Sequence, residues 1–120
     1  MKILIADDSK VMRQIVLRTM RQAGFGHHDF VEAVDGAEAL DKVTSESPDL
    51  VLSDWNMPNK TGIELLRALR GSGNDVPFGF VTSEGSEEMR QTAKDAGAMF
   101  LIAKPFTAEH FETELSGMLS

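Results

Sequence analysis

The sequence predicts an α/β fold in which helices cover both faces of a five-stranded parallel sheet. Five short apolar runs recur along the 120 residues, and the first, "KILIA", shows no polar alternation. Such runs suit strands buried on both faces. A segment of helical periodicity follows each run, and strands that alternate with helices close into a parallel sheet through right-handed crossovers.

The elements follow in order. "KILIA" (2–6) is the first strand and stops at Asp7-Asp8-Ser9. Ser9 is a natural N-cap, because its hydroxyl can accept from an early helical amide. Met12, Ile15, Val16, Thr19, Met20 and Ala23 then lie on one helical face, and Gly24 ends the helix. "DFVEAV" (29–34) is a shorter strand, and Asp35-Gly36 reads as a turn. "AEALDKV" (37–43) is the second helix, with Ala37, Leu40 and Val43 inward.

Pro48-Asp49 punctuates before the third strand, "LVLSD" (50–54). Residues 63–70 form a helix that buries Ile63, Leu66 and Leu69 or Leu65. "PFGFVTS" (77–83) is the fourth strand, and residues 86–97 are a helix capped by Ser86 and stopped by Gly97. "MFLIA" (99–103) is the fifth strand. The last helix follows Lys104-Pro105 and aligns Phe111, Leu115 and Met118.

Composition narrows the function classes. One domain, residues 1–120, is expected at this length. Twelve basic and nineteen acidic residues give a net charge of −7, which argues against general nucleic-acid binding. With no cysteine there is no disulfide, thiolate nucleophile or cysteine-held zinc. The apolar start of "MKILIADD" is too short for a signal peptide or membrane span, so a cytoplasmic protein is expected.

In a sheet of this kind ligands bind beyond the carboxyl ends of the strands. Asp7-Asp8, Asp54, Thr82-Ser83 and Lys104 all end strands and are expected on that rim. Crowded carboxylates repel unless protonated or joined by a cation. Oxygen-only ligands favour a hard ion, and Mg²⁺ suits one or two carboxylates completed by water and phosphate. Lys104 offers a charge, and Thr82 a hydroxyl, to a phosphoryl oxygen. Asp54 is then placed as a carboxylate nucleophile toward phosphorus. His27 and His28 read as loop residues, and Trp55 as packing beside the site.

"ADDS", "DGAEAL", "LVLSDWNMPNKTGIELL", "VTSE" and "AKPF" stand in the order and spacing of one family. Over essentially its whole length the chain resembles the receiver domain of bacterial two-component response regulators, above all the stand-alone chemotaxis members. The resemblance implies a flavodoxin-like (βα)5 fold with strand order 2-1-3-4-5. It implies that Asp54 accepts a phosphoryl group from a histidine kinase. Mg²⁺ would be bound by Asp8, Asp54 and the Asn56 backbone carbonyl, with Asp7 acting through water.

By the same resemblance Lys104 pairs with the phosphoryl group, Thr82 moves toward it, and Asn56 and Glu84 tune dephosphorylation. The Lys104-Pro105 bond would be cis. Leu101 stands where the family usually has a switch aromatic, and period-two geometry points Phe100 to the opposite face. The implied product is a monomeric signalling protein, not an enzyme beyond its own phosphotransfer and dephosphorylation. Its output would be phosphorylation-dependent binding to a protein, such as the flagellar motor switch, through helix four, strand five and helix five. Alternatives are a phosphate sink without motor output, an unphosphorylated docking module, or an Asp-nucleophile phosphohydrolase. The last needs its nucleophile in a D-x-D after the first strand, where this chain has an adjacent "DD".

Overall fold

The computed structural model describes residues 1–119. Its elements are β1 (Lys2–Ala6), α1 (Lys10–Gln22), β2 (Asp29–Ala33), α2 (Gly36–Glu46), β3 (Leu50–Ser53), α3 (Gly62–Gly71), β4 (Phe78–Thr82), α4 (Glu87–Ala96), β5 (Phe100–Ala103) and α5 (Ala108–Leu115). All neighbouring strands are parallel, in the order β2-β1-β3-β4-β5. The expected doubly wound sheet and strand order are therefore observed.

Position in the sheet explains strand composition. β3 and β4 are buried throughout, whereas the outer strand β2 exposes Asp29 and Glu32. The two faces of the sheet make two cores. Leu4, Val51, Phe78, Phe80 and Leu101 pack with Val43 of α2, Leu65, Leu66 and Leu69 of α3 and Ala93 of α4. Ile3, Ile5, Leu52, Val81, Phe100 and Ile102 pack with Val16 and Met20 of α1 and with Phe111 and Leu115 of α5. Phe100 and Leu101 thus face opposite sides, as alternation requires.

Several boundaries differ from the sequence expectation. Asp35-Gly36 is a helix start: the Asp35 side chain accepts from the Glu38 amide and caps α2. The buried stripe of α2 accordingly runs through Gly36, Ala39 and Val43, and Ala37 is exposed. Thr19 and Met20 of α1 are buried as expected, but so is Arg13. α5 ends at Leu115, so Met118 reaches the core from beyond the helix. Ser9 and Ser86 cap α1 and α4 as expected, and Gly97 ends α4 at φ 104°, a region that favours glycine.

Candidate functional site

The carboxyl ends of β1, β3, β4 and β5 gather the residues singled out in the sequence. Asp54 leaves β3 with its backbone still in register, its amide donating to the Ala6 carbonyl at 2.9 Å. Asp7 continues β1 in the same way, donating to the Ala33 carbonyl at 3.1 Å. The acidic groups are therefore held by the stiffest part of the sheet. Asp7, Asp8 and Asp54 each present an oxygen within 4.8 Å of the other two.

The three carboxylates have different surroundings. Asp7 is buried; its Oδ1 accepts from the Ser9 amide at 2.9 Å, and its Oδ2 lies 3.4 Å from Lys104 Nζ. Asp8 is exposed, and among the described residues no donor reaches its carboxylate. Asp54 Oδ1 accepts from the Trp55 amide at 2.8 Å and lies 3.8 Å from Lys104 Nζ, which leaves Oδ2 open. Burial pushes the Asp54 carboxyl above its ordinary range, Lys104 opposes that shift, and Asp7 and Asp8 add to it.

The Lys104 ammonium thus sits between Asp7 and Asp54, its side chain only 15% exposed. The Lys104 amide donates to the Thr82 carbonyl at 2.7 Å, and the following Lys104-Pro105 peptide is cis. Thr82 is fully buried. Its hydroxyl accepts from the Glu84 amide at 3.4 Å, beyond the usual N–H···O range, so that side chain is weakly tethered. Glu84 and Asn56 are exposed.

The loop after Asp54 is pinned at both ends. Trp55 packs on Phe80 with ring centroids 4.7 Å apart, Met57 is buried, and the Gly62 amide donates to the Trp55 carbonyl at 2.8 Å. A Cβ on Gly62 would lie 2.1 Å from the Asp54 carbonyl oxygen, so only glycine allows α3 to start so close to the site. Asn56 is held between these anchors.

Three carboxylate oxygens so close together, without nitrogen or sulfur donors, form a set for a hard divalent cation. The free Asp8 carboxylate fits Mg²⁺, because among the described residues no protein donor has taken its oxygens, and Asp7 and Asp54 each bring a further carboxylate oxygen within 4.8 Å.

The model for the response regulator receiver domain matches residues 3–116. This chain belongs to the response regulator receiver family. A chemotaxis protein CheY homolog from Campylobacter jejuni is 38% identical to it, over 99% of this chain and 92% of the relative. The chemotaxis protein CheY4 of Vibrio cholerae has a TM-score of 0.84 at 37% identity, covering 98% of each chain. The receiver domain of the Francisella response regulator 1452 gives a TM-score of 0.84 at 28% identity, over 96% and 93% of the two chains. The chain is therefore a CheY-like receiver, which assigns it to two-component signalling.

Within this receiver, sequence reasoning overlooked supporting contacts. Arg13 is buried beneath the site, donating to the Asp7 carbonyl at 2.7 Å and to Glu32 at 2.9 Å. An arginine among the apolar positions of α1 was the available signal. Asn59, at φ 67°, donates to Asp35 at 2.7 Å and ties the Asp54 loop to α2. That pairing joins residues far apart in sequence and leaves no local mark.

Proposed function

We propose that this receiver is a single-domain, monomeric, Mg²⁺-dependent phosphoryl acceptor that takes its phosphoryl group from a histidine kinase onto Asp54. The observation that carries the reading is the asymmetry of Asp54. One oxygen is held by the Trp55 amide at 2.8 Å, and the other is open beside two further carboxylates. A nucleophile held by one oxygen presents the other in a fixed direction, which removes much of the orientational cost of attack.

In the transfer, Asp54 Oδ2 bonds to phosphorus while the phosphorus–nitrogen bond of the donor phosphohistidine breaks, and the imidazole leaves with the bonding pair. Lys104 exchanges part of its interaction with Asp7 and Asp54 for a phosphoryl oxygen. Asp8, Asp54 and the Asn56 carbonyl would hold Mg²⁺, with Asp7 acting through water, and the ion would supply neutralising charge to the transferring group. The weakly tethered Thr82 hydroxyl turns to donate to the same group. Asn56 and Glu84, both exposed, control water access and the lifetime of the acyl phosphate.

The output is a change in affinity for a protein partner, in chemotaxis and flagellar motor control, with the chain acting in the cytoplasm. Incubation with acetyl phosphate tests the acceptor chemistry. Incorporation of one phosphoryl group per chain is expected with Mg²⁺ and not with a chelator, and Lys104→Ala should slow it at least tenfold. Metal-independent incorporation would refute the reading.

A further inference from the structure

We infer that Arg90 is the strut through which the state of the rim reaches the outer strand; the inference rests on the phosphoryl-acceptor reading above. Arg90 projects from the first turn of α4 and donates to two backbone carbonyls at once. Its Nη1 reaches the Leu101 carbonyl of β5 at 3.0 Å, and its Nε reaches the Gly85 carbonyl at 3.3 Å. Leu101 belongs to β5, the outer strand beside β4. Gly85 lies in the loop that leaves Thr82.

One guanidinium therefore sets the separation between the loop after β4 and the middle of β5. The two bonds are unequal. The Leu101 bond lies within the normal range, and the Gly85 bond is slightly longer than it. The loop between them is sparsely held. Among the described residues the Glu84 amide has only its long bond to Thr82 Oγ1, and Ser83, Glu84, Gly85 and Ser86 are all exposed. The loop also runs close to β5, since a Cβ on Gly85 would lie 3.0 Å from the Ala103 Cβ.

Rotation of the Thr82 hydroxyl toward the rim removes the one acceptor that the Glu84 amide has among the described residues and lets the loop shift. Gly85 moves with it, and Arg90 must then give up one carbonyl or carry the displacement to the other. Concavities of about 310 and about 360 Å³ flank the side chain, and both are lined by Arg90 and Leu101. The guanidinium thus has space on either side, which a close-packed apolar residue would lack. The planar fork of arginine spans two acceptors in a way that a lysine ammonium cannot reproduce.

The test compares the intact chain with Arg90→Ala and Arg90→Lys by amide NMR, with Mg²⁺ and beryllofluoride as the phosphoryl mimic. Fluorine NMR independently reports whether the mimic binds. The intact chain should show beryllofluoride-induced shifts both in residues 83–86 and in residues 100–103. Both variants should still bind the mimic and still shift at residues 83–86, but lose at least half of the shift at residues 100–103. Equal shifts at residues 100–103 in all three proteins would overturn the strut. Arg90→Lys retaining the full response while Arg90→Ala loses it would overturn the two-carbonyl geometry. Absence of bound beryllofluoride on the intact chain would instead overturn the acceptor reading on which the strut rests.

Discussion

Gly62→Ala probes how tightly the start of α3 is built against the site. The added Cβ would lie 2.1 Å from the Asp54 carbonyl oxygen and 2.9 Å from Phe80 Cε1, where contacts stop near 3.0 Å. The gap to the carbonyl must therefore open by at least 3.0 − 2.1 = 0.9 Å. Neither side yields easily. The Asp54 amide is in the ladder to Ala6, and its carbonyl accepts from Ser53 Oγ at 2.8 Å.

Overpacking of this kind costs about 1–3 kcal/mol. With an unfolding entropy of about 2.1 cal/mol/K per residue, that lowers the Tm by roughly 4–12 °C for a chain of this size. Displacing the nucleophile by about 1 Å should also slow phosphorylation by up to about 100-fold. Gly71→Ala at the other end of the same helix is the control. Among the described residues no atom beyond its chain neighbours and its own helix backbone lies within 4 Å of the added Cβ, so the variant should be no less stable than the parent chain. Thermal melts and acetyl phosphate kinetics on both variants decide the matter. A Gly62→Ala protein with unchanged Tm and rate would refute the close-approach argument.

Asp54→Asn should raise stability at pH 7 in the presence of a chelator. Burial lifts the folded-state pKa above the ordinary 3.8, so the native carboxylate loses stability as the pH rises from that value through the folded pKa. The advantage of Asn should therefore shrink as the pH falls and disappear below about 3.8, which melts across pH will show. Arg13→Ala removes charged hydrogen bonds to the Asp7 carbonyl and Glu32, an expected loss of about 1.5–3 kcal/mol that chemical denaturation measures.

Local chemistry made much of this molecule legible. Ser9 and Ser86 were readable as caps because a serine hydroxyl before a periodic apolar stripe has one obvious use. The opposite orientations of Phe100 and Leu101 follow from strand period alone. The gathering of Asp7, Asp8, Asp54, Thr82 and Lys104 followed because a parallel sheet puts every strand's carboxyl end on one rim. Asp35-Gly36 misled because the same pair suits a turn and a helix N-cap. Choosing between them needed the approach of Gly36 to the Lys60 carbonyl, where an added Cβ would lie 2.2 Å away. Met118 misled for a related reason. Its spacing continues the α5 stripe, but the helix ends at Leu115. What stayed hidden was the set of links between distant segments: Arg13 to Glu32, Asn59 to Asp35, and Arg90 to Leu101.

The central claim is that the open oxygen of Asp54 receives the phosphoryl group, and chemical trapping of the acyl phosphate tests it most directly. An acyl phosphate, unlike a free carboxylate or a serine or threonine phosphate ester, is reduced by borohydride to an alcohol. Peptide mass spectrometry after phosphorylation with Mg²⁺ and reduction should find homoserine at position 54 and aspartate at positions 7 and 8. Reduction at Asp7 or Asp8, or an unreduced residue 54 in a stoichiometrically phosphorylated chain, would contradict it.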